Sequence, residues 1–422
     1  MANYALIPTG EDEEVDPPLL PSTPKPPRVA SLDVFRGLCV FLMMVVDYGG
    51  SVIPAIAHSP WTGLHLADFV MPFFLFIAGV SLALVCKRVT NRVEATWKAV
   101  FRALKLFLLG VLLQGGYFHG VNSLTYGVDI ERIRWFGILQ RIAIGYIVAA
   151  LCEIWLSHRT SRELGSFRSC YWHWCVIFLL SAIYAGLLYG LYVPDWEFKA
   201  STPTSLPSSN DSHVYVVKCS LRGDLGPGCN SAGMIDRYIV GVDHLYSKPV
   251  YRNLKECNMS TDGRIPESSP SWCHTPFDPE GILSTLTAAV ACIIGLQYGH
   301  ILAHIEDHKG RLNIWSLVSV SMFVLGLFFA FIGIPVNKSL YTISYMLITS
   351  ASAGMTFCAL YLLIDVYHYR CITFVLEWMG IHSLSIFIIV TSNIAVIAIQ
   401  GFYWTEPENN IVNWIITPFV HK

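Results

Sequence analysis

The sequence predicts an all-α polytopic membrane protein, a transmembrane helix bundle with about ten membrane segments. Of its 422 residues, 54% are hydrophobic and only 14% are charged, whereas soluble domains carry about 25% charge. Apolar runs that approach the length of a spanning helix recur along most of the chain. Basic residues gather in alternate connections, as in membrane proteins of fixed orientation. The net charge of −2 argues against a nucleic-acid partner.

The predicted segments divide the chain into a tail and one membrane domain, 34–422. They lie at roughly 34–56, 66–85, 99–114, 135–156, 173–193, 281–303, 313–333, 341–363, 372–400 and 411–420. The segment at 372–400 fits either one long helix or a helix with a re-entrant end. The last segment is too short to span, because a spanning helix needs about 20 residues.

Residues 1–33 are predicted to form a disordered cytosolic tail. They are acidic and rich in proline, and such a composition lacks the apolar side chains that build a core. A secretory signal peptide begins instead with a basic region. We therefore expect no cleavable signal here.

The basic residues predict that the N-terminus is cytosolic. With that orientation, the short cytosolic connections hold Lys87, Arg88, Arg92, Lys98, Arg102, Lys105, Arg159, Arg162, Arg168, Lys309, Arg311 and Arg370. The short loops on the other side hold only Arg132, Arg134 and Lys338. Cytosolic loops carry the excess of Lys and Arg in membrane proteins, so the long 194–280 loop falls on the lumenal side.

The predicted lumenal loops have features of an oxidising compartment in which proteins are glycosylated. Sequons begin at Asn210, Asn258 and Asn337, and the long loop holds Cys219, Cys229, Cys257 and Cys273. Four cysteines in this setting predict two disulfides, and three connectivities remain open. Free thiols or a zinc site are the alternatives, and the wide, irregular spacing disfavours zinc.

Ionisable side chains on the first two helices flank a short loop that contains His58. Arg36 and Asp47 lie about three helical turns apart, so they share one face. Asp68 stands one turn before Pro72 in the second helix. Charges at membrane depth are costly unless paired or hydrated, and they often mark functional sites. The alternatives are helix-start electrostatics for Arg36 with its neighbour Asp33, and a structural ion pair for Asp68.

His58 is the side chain that we expect to carry chemistry, because imidazole titrates near neutral pH. It could accept a proton from an amine or a hydroxyl nucleophile, or attack a thioester itself. The alternative is an ordinary solvated loop histidine. His65 and His119 could take the same part.

Gln140 and Arg141 lie inside the fourth segment. An arginine at this depth needs an anionic partner, which could be Asp68, Asp47 or a ligand phosphate. Among the remaining histidines, only His300 and His304 have the i,i+4 spacing of metal ligands, and no HExxH register accompanies them. The sequence therefore predicts no metal site, and it contains no phosphate-binding loop or nucleophile elbow.

Read together, several segments resemble the heparan-α-glucosaminide N-acetyltransferase family. The matching stretches are 28–37 (RVASLDVFRG), 47–50 (DYGG), 58–63 (HSPWTG), 67–72 (ADFVMP), 137–141 (GILQR), 228–237 (GCNSAGMIDR), 277–282 (FDPEGI), 295–297 (GLQ) and 337–340 (NKSL). They occur in order from about residue 28 onward, and several are specific.

The resemblance implies a membrane-bound acetyltransferase that takes the acetyl group from cytosolic acetyl-CoA. The implied acceptor is the amine of a lumenal amino sugar or glycan of the terminal-glucosamine type. The implied location is a lysosome- or vacuole-like endomembrane, without a metal cofactor. A homodimer is an expectation that rests on the resemblance alone.

The resemblance also assigns roles to residues. His58 matches the catalytic histidine, and Arg36 and Arg141 are candidates to meet CoA phosphates, with Gln140 and Asp68 as further cofactor-binding candidates. At Asp47 the chain departs from the family pattern, which has asparagine there. An ionised carboxylate cannot donate to an oxyanion as an amide can, so we expect Asp47 to orient His58 and stabilise its imidazolium.

Two other functions use the same residues. A proton-coupled transporter would use Asp33, Arg36, Asp47, Asp68 and Arg141 as a relay and binding site. Transporters often contain internal repeats, and the segments around Asp33 and His58 are not repeated. An inactive scaffold that binds a partner through its disulfide-bonded loop is the third alternative.

Overall fold

The computed structural model describes most of the chain. The described residues are 29–50, 53, 55–86, 91–114, 133–156, 166–200, 213–246, 248–258, 260, 265–266, 268–392, 409, 411 and 414–415. Nearly all of the predicted tail 1–33 and most of the predicted segment 411–420 lie outside them, as do His119 and Asn210.

The described chain is mostly helical. The helices are α1 (Ala30–Gly49), α2 (Ala67–Cys86), α3 (Arg92–Gln114), α4 (Ile138–Leu151), α5 (Ser166–Gly190), α6 (Ser231–Ile239), α7 (Ile282–His304), α8 (His308–Phe331), α9 (Ile343–Tyr361), α10 (Arg370–Ile381) and α11 (Ser383–Thr391). Two π-helical turns, Cys152–Leu156 and Leu362–Val366, extend α4 and α9.

Six helices are long and apolar enough to cross a membrane, and they confirm the predicted membrane character. The candidate spans are 67–86, 138–156, 171–190, 282–304, 308–331 and 343–366. The bent pair α10 and α11, which meet at 79°, counts as a seventh if the two form one span. The described residues therefore contain six such helices, or seven with the bent pair, and the expected ten segments are not confirmed. The predicted first and third segments became α1 and α3, which carry several charged side chains each.

Helix α7 is the centre of the bundle, because it is apolar on every side and packs against α2, α4, α5 and α9. Glycines let its backbone approach α2 closely. A Cβ on Gly295 would lie 2.0 Å from the Phe76 carbonyl oxygen, and one on Gly79 would lie 1.9 Å from that of Cys292. Small residues at helix crossings are the usual means of tight packing in membranes. Any side chain here would push α2 away from α7.

The described residues of the predicted 194–280 loop form a folded lobe, whose small sheet amends the all-α prediction. Strands β1 (Trp196–Ala200) and β2 (His213–Val217) pair antiparallel, with Trp196 opposite Val217. The β2 sequence HVYVV is rich in β-branched and aromatic residues, which favour a pleated strand. Of the three connectivities left open above, the structure has the disulfides Cys219–Cys229 and Cys257–Cys273.

Candidate functional site

His58 is bonded to a buried carboxylate at the start of α2. Its Nδ1 lies 3.1 Å from Oδ1 of Asp68, whose side chain is fully buried. The other carboxylate oxygen, Oδ2, accepts hydrogen bonds from the backbone N–H groups of Ser59, at 3.2 Å, and His65, at 2.9 Å. A carboxylate suits the positive end of a helix. Asp68 thus folds the loop back over its own helix and fixes the imidazole at the same time.

Trp61 ties the same loop to the disulfide-bonded lobe. Its indole packs edge-on against Tyr251 and Phe277, with ring centroids 5.7 and 5.6 Å away. Its Nε1 donates to the carbonyl of Leu225 at 3.0 Å. The lobe therefore helps to set the position of His58, three residues before Trp61.

Lys338 completes the site, and sequence reasoning did not predict this. Its Nζ lies 2.7 Å from His58 Nδ1, 3.3 Å from His58 Nε2 and 3.6 Å from Asp68 Oδ1. Burial lowers the pKa of Lys338, against the opposing charges of Asp68 and Glu280. Two features of the sequence could have pointed to Lys338. It lies in the NKSL stretch that resembles the family, and it is a basic residue in a predicted lumenal loop, where basic residues are few.

The Lys338 loop is anchored to the His58 loop through the backbone. Gly63 N donates to the carbonyl of Val336 at 2.9 Å, and Thr62 bridges to Asn337. Asn337 is fully buried, and its Oδ1 accepts from Leu340 N at 2.9 Å. A glycan acceptor must be exposed, so this geometry counts against the predicted glycosylation of Asn337. Asn258 is exposed and stays a prediction.

The contacts at His58 Nδ1 exclude one another, because one ring nitrogen either carries a proton or accepts one. With a proton on Nδ1, the ring donates to Asp68 and leaves the Nε2 lone pair available. Without it, Nδ1 accepts from the Lys338 ammonium. The cluster therefore has two hydrogen-bonding states, and only the first makes Nε2 a base or nucleophile.

Asp47, predicted to orient His58, lies at the exposed end of α1. Its charge acts on His58 from nearby. Within the described part of the chain, however, the carboxylate that hydrogen-bonds the ring is Asp68. The sequence predicted that Asp47 would orient the ring and that Asp68 would bind cofactor. In the structure Asp68 is the acid that contacts the ring. His65, the predicted substitute, turns its ring Nδ1 to the carbonyl of Ala57 at 3.2 Å.

Arg141 is buried, but its partners are not the predicted Asp68 or Asp47. Its Nη2 donates to the carbonyl of Pro279, at 2.5 Å, and to the Ser284 hydroxyl. The negative charge nearby is Glu280. Arg141 therefore braces the turn that leads into α7.

Glu280 belongs to a second charged group in this turn. Arg134 Nη2 lies 2.7 Å from Asp278 Oδ1 and 2.5 Å from Glu280 Oε2. Burial by itself would raise the pKa of Glu280, but the charges of Arg134, Arg141 and Lys338 hold it below its usual value. The acidic turn 278–280 thus forms ion pairs with Arg134 and interacts electrostatically with Arg141 and with Lys338 of the His58 cluster.

Gln140 is fully buried, and neither atom of its amide has a hydrogen-bond partner among the described residues. It lies directly against Gly110 of α3, where a Cβ would sit 2.3 Å from the amide oxygen. Buried polar groups without partners are rare in folded proteins and call for an explanation. A ligand that offers hydrogen bonds is one explanation, in keeping with the predicted role of Gln140.

Arg36 lines a cavity of about 170 Å³. Arg36 bonds Asp33, at 3.0 Å, and the Ser81 hydroxyl, at 2.6 Å. The cavity lies between α1, α2, α3, α4 and α11, and its other lining residues include Arg102, Tyr146 and Phe387. Ser81 and Asp68 are both on α2, about 20 Å apart along the axis at 1.5 Å per residue. The arginine-lined cavity and the His58 cluster therefore lie at different depths of the bundle.

The fold and the site define a helical membrane protein with a cluster of a partly exposed histidine, a buried carboxylate and a lysine. Residues 28–166 match the family model described as heparan-alpha-glucosaminide N-acetyltransferase, catalytic. These residues include His58, Asp68, Arg36 and Arg141, whereas Lys338 lies beyond them. This match agrees with the acetyltransferase family that the sequence motifs indicate.

Two curated relatives carry the same name. The Homo sapiens heparan-alpha-glucosaminide N-acetyltransferase is 31% identical over 382 residues, which cover 84% of this chain and 51% of the human protein. The Mus musculus protein is 30% identical over 366 residues, 80% of this chain and 50% of its own. The chain spans about half the length of the curated relatives it matches. These matches confirm the predicted resemblance to the heparan-alpha-glucosaminide N-acetyltransferase family.

Proposed function

We propose that the chain is a membrane acetyltransferase that moves an acetyl group from acetyl-CoA to the amine of an amino sugar or glycan. The observation that carries this proposal is the His58 imidazole, bonded to buried Asp68 and in contact with Lys338. The similarity of residues 28–166 to the family's catalytic region supports it. Acetyl-CoA enters from the cytosol, and the acceptor lies on the lumenal side.

Asp68 holds His58 in the reactive tautomer. With Nδ1–H donated to Asp68, the lone pair of Nε2 is available, and the buried carboxylate stabilises the imidazolium that forms later. The two backbone N–H bonds on Oδ2 keep the carboxylate in place. His58 is therefore oriented before substrate arrives, which lowers the reorganisation that the reaction requires.

Two routes use this imidazole. As a general base, Nε2 takes a proton from the acceptor amine, whose nitrogen attacks the thioester carbon. As a carrier, Nε2 attacks that carbon first and then passes the acetyl group to the amine. In the general-base route the carbon–sulfur bond breaks, the carbon–nitrogen bond forms, and CoA leaves as the thiol with the proton that the amine gives up. In the carrier route CoA leaves as the thiolate when the acetylimidazolium forms; the amine then takes the acetyl group, its proton is released to water, and neutral His58 is regenerated.

Lys338 is placed to stabilise the oxyanion. Its Nζ lies 3.3 Å from Nε2, which is the side from which the thioester carbonyl would approach. When the nucleophile adds, negative charge develops on the carbonyl oxygen, and the nearby ammonium stabilises it. The family's asparagine at the Asp47 position could donate to such an oxygen, whereas an ionised Asp47 cannot. In this chain Lys338 supplies the positive charge instead.

The cavity at Arg36 is the proposed site of the CoA nucleotide. Arg36 and Arg102 supply positive charge for its phosphates. The pantetheine arm then runs about 20 Å along α2 toward Asp68, and the unpartnered Gln140 amide can bond an amide of that arm. Arg141, also predicted to meet phosphate, is already bonded to the turn before α7. We assign it to the support of that turn.

The proposed location is an endomembrane with the N-terminus in the cytosol, a lysosome- or vacuole-like compartment. The distribution of basic residues and the two disulfides of the 194–280 lobe support this orientation. The lobe and the His58 loop then face the acceptor.

An acetyl-transfer assay tests the proposal. The purified full chain is incubated with radiolabelled acetyl-CoA and a panel of amino sugars, with His58→Ala and His65→Ala as a matched pair. We expect label on at least one sugar with the unchanged chain and with His65→Ala, and none with His58→Ala. Label on no acceptor, from protein that is monodisperse, would contradict an acetyltransferase. Transport of unmodified amino sugar into vesicles would favour the transporter.

The two routes differ in a trapped intermediate. Rapid quenching after mixing with labelled acetyl-CoA, without acceptor, should give acetylated protein if His58 is a carrier. Repeated absence of labelled protein from a preparation that does transfer acetyl groups would favour the general-base route.

A further inference from the structure

Three metal-ligating side chains meet at the opposite end of the bundle from His58. Glu153 lies in the π-helical turn that ends α4, His173 lies near the start of α5, and His300 lies near the end of α7. Each offers a ligand atom, and these atoms all lie within 4.8 Å of one another. About 27 Å of α7 separates His300 from Ile282, which adjoins the turn bonded to Arg141. The cluster is therefore separate from the proposed acetyl-transfer site.

The distances fit the coordination shell of a small ion. Glu153 Oε2 lies 2.8 Å from His300 Nε2 and 3.6 Å from His173 Nε2. Bonds of about 2.0–2.2 Å around a tetrahedral ion bring donor atoms roughly 3.3–3.6 Å apart. The distance from Glu153 to His173 matches this spacing. The shorter distance from Glu153 to His300 is a hydrogen bond, which an ion would replace after small rotations of the two side chains.

His173 is buried without a close hydrogen-bond partner among the described residues. Its side chain is only 1% exposed, and the groups that face its ring are the Glu153 carboxylate, 3.6 Å from Nε2, and the backbone of Cys152. Its ring stacks on that of His300, with centroids 5.7 Å apart. Two imidazoles in this contact repel each other when both are protonated. A metal ion would bind one neutral ring nitrogen from each of the two histidines. It would also give the buried His173 nitrogen a close partner.

We propose that Glu153, His173 and His300 bind one divalent transition-metal ion of the zinc class. Two imidazoles and a carboxylate are a donor set that zinc uses, with water as the fourth ligand. Magnesium and calcium prefer sites made of oxygen. His300 is partly exposed, which gives the ion a path from the end that the sequence predicts to be cytosolic. The π-helical turn at Glu153 is a feature often found at functional sites.

The bound ion joins the ends of α4, α5 and α7. The chain already connects α4 to α5 at this end through residues 157–165, and the ion would add a link from these two helices to α7, with one ligand from each. The sequence did not predict this site, because the three residues are far apart in the chain and only the packing of three helices unites them.

Metal content and cobalt spectroscopy test the site directly. The full chain is purified in detergent, stripped with a chelator, and titrated with Zn²⁺ or with Co²⁺ as a spectroscopic probe. We expect one ion per chain and visible d–d absorption of four- or five-coordinate Co²⁺. The variants His173→Gln and His300→Gln should each weaken binding by at least about tenfold. His304→Gln, which changes a histidine one turn from His300 but outside the trio, should bind like the unchanged chain.

Two results would overturn the proposal. One is a chain that elutes as a single species and yet retains no Zn²⁺ after exposure to an equimolar amount. The other is Co²⁺ absorption that is equal in the unchanged chain and in His173→Gln. Because a variant that fails to fold would also lose metal, Glu153→Gln is included. It keeps the size of the side chain, so binding lost with unaltered elution supports the site.

Discussion

Tyr345 donates its phenolic hydrogen bond to the backbone carbonyl of Asp68. In a regular helix that carbonyl would accept from the residue four positions on, but this residue is Pro72, which has no N–H. A hydroxyl from α9 therefore replaces the missing helical bond. Pro72, which removes one hydrogen bond from α2, and Tyr345, which supplies another, together position Asp68 next to His58.

Removal of this hydroxyl should loosen the site. Tyr345→Phe leaves a buried carbonyl without a partner, which costs about 1–3 kcal/mol. We expect a lower midpoint of thermal unfolding and slower acetyl transfer. Tyr341→Phe is the matched control, because the Tyr341 hydroxyl is buried without a hydrogen-bond partner among the described residues. Equal losses of stability in both variants would argue against a specific role for the Tyr345 bond.

Asp68 and Asp47 should respond differently to the same substitution. Asp68→Asn keeps the size of the side chain but cannot stabilise the imidazolium, so we expect kcat to fall by roughly 10²–10⁴. Asp47→Asn restores the family's residue at an exposed position and should leave most of the rate. The measurement is kcat for both variants under saturating acetyl-CoA. A larger fall for Asp47→Asn would return the orienting role to Asp47, as the sequence predicted.

Lys338 should act on the chemical step. Lys338→Met removes the ammonium while keeping the length of the side chain, and we expect kcat to fall roughly 10²–10³ because a transition-state charge loses its partner. The KM for acetyl-CoA should change little, since the CoA site lies deeper in the bundle. Steady-state kinetics separate the two constants. A rise in KM with unchanged kcat would mean that Lys338 binds substrate and does not stabilise the transition state.

Asp236 should make the folded chain more stable in mild acid. It is buried in α6, where burial raises its pKa from 3.8 to about 7, while its Oδ1 accepts from Ile282 N at 2.9 Å. The folded state therefore holds this proton more tightly than the unfolded state does. The contribution of Asp236 to the free energy of unfolding is then largest below about pH 3.8, falls as the pH rises to about 7, and is constant above.

Asp236→Asn should remove this pH dependence, because an amide is neutral throughout and keeps the oxygen that accepts from Ile282. Between pH 5 and pH 7, the unchanged chain should lose stability relative to the variant by about 1.4 kcal/mol per pH unit. Thermal unfolding at several pH values measures the difference, with Asp243→Asn, an exposed acid, as control. A constant difference between the two chains across this range would refute the assigned pKa.

The sequence predicted the helices that bury apolar surface most strongly. The bounds of α2 and α7 agree with the apolar runs to within about one residue, because hydrophobic length alone fixes such helices. The α1 and α3 bounds differ by several residues. Their ends are charged, and there capping and packing decide where the helix stops. The break between α10 and α11 was predicted only as an alternative.

The sequence singled out His58 and Asp68, which contact each other in the structure, but not Lys338. His58 and Asp68 are ten residues apart, so local spacing could bring them together. Lys338 contacts His58 across 280 residues, and only the packing of α9 against α2 creates that contact. The choice between Asp47 and Asp68 depended on how the loop folds after α1. Helical periodicity says nothing about that.

The packing of Trp61 against Tyr251 and Phe277 links the position of His58 to the formation of a disulfide bond. Those two aromatic residues flank the segment closed by the Cys257–Cys273 bond. A polypeptide that had not been oxidised would keep every group needed for the reaction, but its His58 loop would lack the support that this lobe gives through Trp61. The activity of the protein would then depend on the redox state of the compartment in which it folds, as well as on its sequence.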